Sequence, residues 1–327
     1  MAALLTAGCG LFGGDDSGSD AASSDTTAKT AGPLEKSTLN VGVMVGIDCS
    51  GAQMALLRDL FKEEGLTIKP ETVQSGAVAI PKLASGGLDF TFGNWVSFLK
   101  AQAAGAVDMR FVSESYIATP NTNFALITGP DSGISSVKDL VGKTVAVNAK
   151  GNINELLIRA VMEANDIDFN SINLVEMGFP DMTGALQAKT VDVASLIDPF
   201  VALAQQKIGA KIVVDLTGKG STENFPTAGF ATTAKFAKDN PNTVAAFQRV
   251  LLKGQQLAGD RKNVEEALPK FAKLDPETAA IVKIGQFPTT IDSKRLQRIA
   301  DLLQTYQMLP KKLDVKPLVI PMPTSSS

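Results

Sequence analysis

The chain has 327 residues, with 31 Lys and Arg against 34 Asp and Glu, a net charge of -3 and 44% hydrophobic residues. That length suffices for about two domains and a large core without disulfide staples, and the slightly acidic balance carries no polybasic footprint for nucleic acid. The sequence contains no His, which excludes Ser-His-Asp and Cys-His catalysis, imidazole metal ligation and the usual near-neutral proton shuttle. A site built from this chain uses carboxylates, hydroxyls, amides, aromatics, Lys, Arg or backbone.

The two Cys, Cys9 and Cys49, make neither a disulfide framework nor a metal cluster. Cys9 closes the run Leu5-Thr6-Ala7-Gly8-Cys9, and small residues ahead of a Cys resemble the lipobox of bacterial lipoproteins, where the Cys receives lipid. The basic leader and most of the apolar stretch of such a signal are missing, so 1–9 reads as a trimmed lipoprotein signal, or else as an ordinary apolar start with an accidental Cys. Residues 10–36 are rich in Gly, Ser, Asp, Thr and Ala and are too polar to offset their ordering entropy, which predicts a flexible tether. Cys49 is then either a small packing residue or a pocket-lining one. No stretch approaches the roughly 18–20 apolar residues of a membrane span.

From residue 38 the pattern becomes regular. TLNVGVMVG (38–46) predicts a buried strand closed by Gly46, followed by the polar turn Asp48-Cys49-Ser50-Gly51. A helix carrying Met54, Leu57, Leu60 and Phe61 stops at Gly65, as a left-handed C-terminal stop requires. Leu66 and Ile68 open a second strand, Gln74-Ser75-Gly76 forms a turn, and a short helix with Ile80 and Leu83 ends at Gly86-Gly87. LDFTFG (88–93) is a third strand, and Asn94 caps the helix that follows. MRFV (109–112) is a fourth, ended by Ser113-Glu114-Ser115-Tyr116.

The same grammar then restarts. FALIT (124–128) is a strand, and SSVKDLVGKTVAVN (135–148) gives a short helix and a strand. Gly151-Asn152 opens a helix with Ile153, Leu156, Leu157 and Val161 on one face. INLVE (172–176), VDVASLID (191–198) and KIVVDL (211–216) are strands separated by helices, the first of which starts at Pro180-Asp181. Beyond Gly229–Thr233 the chain turns helical: Asn240-Pro241 and Asp275-Pro276 are N-cap signals, and the last amphipathic run uses Leu296, Ile299, Leu302, Leu303 and Tyr306. Alternating strands and helices predict two α/β units with largely parallel sheets, followed by a helical cap.

In this order, LASGGLDFTFGN (83–94), ISSVKDLVGKTVAVN (134–148), VDVASLIDPFVA (191–202) and YQMLPKKLDVKPLV (306–319) resemble a family. It is that of the periplasmic solute-binding proteins of ABC importers, in the nitrate, sulfonate, taurine and thiamine-pyrimidine group. The resemblance implies an α/β, two-lobed, type II-like periplasmic-binding-protein fold with two crossing strands and C-terminal helices. Lobe I would be 37–126 plus 230–318, lobe II 127–229 and the tail 319–327, with crossings at 124–128 and 228–233. It also implies a monomer that binds a small molecule in its cleft, takes no cofactor or metal, and delivers the solute to an ABC permease in the membrane, here from a lipid anchor at Cys9.

In open α/β sheets, ligands sit beyond the carboxyl ends of strands, where helix N-termini point free N–H groups. That nominates the turns already named, and each candidate has a structural alternative. Trp95, the only Trp, either stacks on a planar ligand or buries its ring in the core. Asp48 and Glu114 either accept hydrogen bonds from an amine or aminopyrimidine, or serve as a helix cap and a solvated loop residue. Ser75, Gly76, Asn94, Asn148, Gly151 and Asn152 offer donors to an anion or simply make turns and caps. Asp181 and Asp198 are N-cap candidates, Cys49, Tyr116 and Phe179 are wall candidates, and Phe225 lies in a hinge or pocket-edge loop. The acidic and aromatic tilt leans towards a thiamine-precursor pyrimidine or other amine-bearing solute, while helix N-termini alone can hold sulfonate or nitrate.

Two other functions are open at this point. A lyase on the same fold would use Asp48 or Glu114 as general base, without needing a lipobox and tether. An adhesin or envelope scaffold would have no enclosed small-molecule pocket.

Overall fold

The Val-rich and Phe-rich runs form strands, and their polar, Gly-marked ends deliver the chain to helices. The computed structural model describes residues 32–323, apart from 121 and 123. The strands are β1 (Thr38–Val43), β2 (Thr67–Thr72), β3 (Phe90–Asn94), β4 (Met109–Ala118), β5 (Phe124–Thr128), β6 (Thr144–Val147), β7 (Asn173–Glu176), β8 (Val193–Ile197), β9 (Lys211–Asp215) and β10 (Phe225–Thr233). They build two five-stranded sheets, in the orders β2-β1-β3-β10-β4 and β7-β6-β8-β5-β9. Each sheet is parallel except for one strand, β10 in the first and β5 in the second, which runs antiparallel to both of its neighbours. The result is a two-lobed α/β fold with mixed sheets and flanking helices.

Helices bury the sheet faces. Pro241–Ala258 packs on Ser50–Leu57 and on β4, whereas Trp95–Ala103 packs on β10 and on Ser293–Thr305. Phe90, Phe92, Phe230 and Phe247 meet in the first lobe, with the rings of Phe90 and Phe247 stacked at 4.0 Å. Full burial of each such side chain contributes about 1.5–3 kcal/mol.

Several details differ from the expectations. The helix expected through Met54, Leu57, Leu60 and Phe61 breaks into Ser50–Leu57 and Leu60–Glu63, because Asp59 adopts φ 55°. The tether was expected through residue 36, but 33–36 dock on the body. Glu35 accepts from the backbone of Thr243 at 2.9 Å, and Lys36 pairs with Asp89 at 2.7 Å. β4 does not stop at Val112 but continues to Ala118, so Ser113–Tyr116 is strand interior and not a turn. Of the expected crossings, 124–128 is β5 of the second sheet and 228–233 is part of β10 in the first, so the connections between the sheets fall between β4 and β5 and between β9 and β10. Among the described residues no helix is long and apolar enough to cross a membrane. Cys9 and its lipobox lie outside the described residues.

Candidate functional site

The carboxyl ends of β1, β3, β6 and β8 converge on a gap between the two sheets. From the first lobe it is lined by Met44, Asp48, Phe92 and Asn94, and from the second by Phe124, Asn148, Ile153, Asn154, Phe179 and Ile197. The cavity left between these walls is only about 20 Å³. The lobes are therefore nearly shut around it. Asp48 also lines a smaller adjoining hollow with Tyr116, Thr122, Ile197 and Thr227.

Hydrogen bonds cross between the lobes beside the gap. Ile47 N donates to Asp198 O at 3.0 Å, and Lys100 Nζ donates to Gly151 O at 2.8 Å. Such bonds are made only while the lobes are together.

Asp48 is 8% exposed and its Oδ1 has no hydrogen-bond partner. Burial pushes its carboxyl up to about 7 from 3.8, against hydrogen bonds from the backbone of its own turn. Burial also drives the neighbouring Cys49 thiol and Tyr116 phenol upward, so both stay neutral. Asn148 Oδ1 accepts from Asn152 Nδ2 at 2.7 Å and from Asn154 Nδ2 at 2.6 Å, which ties the β6 turn to the start of the helix Ile153–Glu163.

The raised Asp48 carboxyl has a stability consequence. The native state holds the proton up to about pH 7 and the unfolded chain releases it near 3.8, so Asp48 stabilises the fold below 3.8 and loses that contribution as pH rises to about 7. Asp48→Asn keeps the shape and removes the charge. It is expected to raise stability by about 2–4 kcal/mol at pH 8, with the gain shrinking below pH 5. Urea denaturation of both proteins at the two pH values measures the difference.

Asp48, Asn94, Asn148 and Phe179, all expected at a site, do line the gap together. The others do not. Trp95 is fully buried in the first lobe against Phe98 and Phe111, so the ring packs the core and does not stack on a ligand. A Cβ at Gly229 would stand 2.2 Å from its Cζ2, a close approach that only glycine permits. Glu114 is no solvated loop residue: its carboxylate is buried within β4 and paired with Arg295 at 2.8 Å. Tyr116 accepts from Gly285 N at 2.5 Å and reaches only the adjoining hollow. Cys49 and Phe225 are fully buried core residues. Ser75 caps the helix Gly76–Ala84 by accepting from Val78 N, and Gly76 lies where a Cβ would press on Gly93 Cα at 2.9 Å.

Asn152 caps its helix from a fully buried position, and Gly151 supplies the carbonyl for Lys100 at φ 66°. Asp181 is not a cap: Gly178 holds that place and Asp181 is exposed in the first turn. Asp198 accepts from Ala202 N at 3.1 Å and from Lys283 N at 2.6 Å, which spends its carboxylate on helix and loop backbone. Sequence reading missed Met44, Phe92, Phe124, Ile153, Asn154 and Ile197. Asn154 alone carried a signal, as a third amide two residues past Asn152; the rest read as core.

Trp95 has a direct spectroscopic consequence. Its emission is expected to be blue-shifted and to stay within about 2 nm on addition of any solute that closes the lobes, because apolar rings surround it on its own lobe. A fluorescence titration checks this.

The profile of the family described as NMT1/THI5 like matches residues 47–262, well over half of the chain. A Bacillus subtilis (strain 168) protein named for aliphatic-sulfonate binding is 25% identical over 270 residues, covering 80% of this chain and 78% of that one. Among solved structures, the alkanesulfonate-binding protein SsuA of Xanthomonas axonopodis pv. citri, bound to MOPS, superposes with a TM-score of 0.74 at 21% identity, covering 88% of this chain and 99% of that one. The periplasmic nitrate-binding protein NrtA of Synechocystis PCC 6803 gives 0.72 at 14% identity, covering 88% and 86%. These two likenesses speak to the fold. The profile match speaks to descent, and by it this chain belongs to the NMT1/THI5-like family, with the two-lobed fold of the SsuA-type periplasmic binding proteins.

Proposed function

We propose that this chain is the extracytoplasmic solute-binding component of an ABC importer, a receptor and not an enzyme, which encloses a small organic solute between its lobes. Lipid on Cys9 and the segment that follows it tether the receptor to the membrane beside its permease. The solute belongs either with thiamine-precursor pyrimidines or with sulfonates and nitrate. The observation that carries the reading is the enclosed gap, to which each lobe contributes both an amide and an aromatic wall: Asn94 and Phe92 from one, Asn148 and Phe179 from the other. A ligand touching both lobes stabilises the shut form over the open one, and that difference is the signal a permease reads.

The relatives support the receptor reading: one is named for aliphatic sulfonates, another for nitrate. Native mass spectrometry of protein purified from cells without refolding tests it. A stoichiometric small molecule should accompany the chain and leave on denaturation; a chain that carries none, and that no solute stabilises against heat, overturns the reading. For the anchor, Cys9→Ala expressed in the native host should move the protein from the membrane fraction to the soluble one.

A further inference from the structure

The helix Ile153–Glu163 of the second lobe is gripped by the first lobe at both ends. At its start Lys100 Nζ donates to Gly151 O at 2.8 Å, and at its end Tyr306 donates its phenol proton to the Glu163 carboxylate. Lys100 belongs to Trp95–Ala103 and Tyr306 caps Ser293–Thr305, two first-lobe helices that pack on each other. The first grip lies beside the gap, which Ile153 and Asn154 line. The second is eleven residues further on, about 16 Å along the helix axis, and neither of its residues lines the gap.

The rest of that helix leaves Glu163 to the other lobe. Glu155, Arg159 and Glu163 are spaced four apart and share one stripe. Arg159 spends its guanidinium inside its own lobe: it donates to Glu155 Oε1 at 3.0 and 2.9 Å and lies over the Phe169 ring, 3.7 Å from its centre. Glu163 turns instead to Tyr306. Gln307 adopts φ 55° and leads the chain away, so Tyr306 stands at the end of its helix.

Glu163 is exposed and Tyr306 half-buried, and both help to line an open surface hollow. Water therefore competes for the bond. A phenol donating to a carboxylate is charge-assisted, but at a wet site its net contribution is small. Such a bond biases the lobes towards each other without fixing them there.

Resting on the reading that the lobes close on a solute, we propose that Tyr306 and Glu163 form a latch, remote from the gap, that favours the shut form with or without solute. Both are positioning residues: they act through the helix whose first turn walls the gap, and touch nothing bound there. Apparent affinity scales with the share of molecules in the binding-competent form. The latch thus sets how tightly the receptor holds its solute and has no part in which solute that is.

The test is pulsed electron spin resonance on protein dialysed free of solute. Spin labels are placed on Ala84→Cys and Gln187→Cys, exposed helix ends of the first and second lobes, in a Cys9→Ala background. Cys49 is fully buried and stays unlabelled. The parent is compared with Tyr306→Phe, Glu163→Ala, the double variant, and Gly46→Val as the opened reference. The expected result is two interlobe distances, with the shut-to-open ratio falling about three- to tenfold in each single variant and no further in the double. Melting temperatures should stay within about 2 °C of the parent; residues that merely steadied their own helices would lower the melting temperature and leave the ratio alone. Losses that multiply in the double variant, or ratios that hold at the parent value while Gly46→Val opens the molecule, overturn the latch and leave the solute reading standing. One distance common to all five proteins, Gly46→Val included, overturns the latch and the closing lobes together.

Discussion

Arg295→Met is expected to destabilise the protein by about 3–5 kcal/mol, the cost of stripping a buried charge of its partner. The Glu114 carboxylate lies wholly inside β4, and Arg295 holds it at 2.8 and 3.1 Å through two nitrogens, while Asp292 N adds a third bond at 3.2 Å. Burial still raises the Glu114 pKa despite that company. Without the guanidinium the carboxylate must either stay charged in an apolar setting or take up a proton. The pair is asymmetric, since Arg295 is 34% exposed and can turn to water. Glu114→Gln is therefore expected to cost only about 1 kcal/mol, and the double variant should recover most of what Arg295→Met loses. Urea midpoints of the three variants decide it, and the loss in Arg295→Met should diminish as pH falls and the buried Glu114, whose pKa burial raises, takes up a proton.

Gly46→Val is expected to leave folding intact and lower affinity for the bound solute at least a hundredfold, about 2.7 kcal/mol. Gly46 is extended, at φ -165° and ψ 155°, so a branched residue fits its backbone. What it does not fit is the space between the lobes. A Cβ there would stand 2.6 Å from Asp48 Oδ1 and 3.2 Å from Ile197 Cδ1, and Ile197 belongs to the second sheet. The side chain acts as a wedge against the second sheet, and within its own lobe it turns the Asp48 side chain aside. Solution scattering should show a larger radius of gyration for Gly46→Val than for the parent in the presence of solute, with a melting temperature within about 3 °C of the solute-free parent.

The strand-and-helix grammar was legible because its signals are local. Val-rich runs ended by polar turns gave β1, β6 and β8, and Asn-Pro and Asp-Pro gave the helices starting at Pro241 and Pro276. What failed was polarity read as exposure. Ser113-Glu114-Ser115 looks like a turn, but Arg295, nearly two hundred residues away, neutralises Glu114 and lets β4 run on. Sequence gives no warning of such a partner. Trp95 failed the same way in reverse: it follows a strand tip, as a cleft residue would, and only the glycine at 229 of a distant strand opens the space that takes it inward. Within the site, the turns were found but six of the ten lining residues were not. Phe92, Phe124 and Ile197 are inward-facing strand residues whose apolar character suits core and cleft equally, and which one they serve is decided by where the second sheet lies.

The placement of β10 between β3 and β4 sets an order of assembly. All five strands of the second sheet lie in one continuous stretch, 124–215, whereas the first sheet has no link between β3 and β4 until Phe225–Thr233 has been made and threaded in. During synthesis the half begun earlier is thus finished later, with two unpaired strand margins waiting for a partner that emerges last. A chain held back, by a translation pause or a slow export step, before residue 225 would present those margins to its neighbours, making that interval the one in which a chaperone has most to protect.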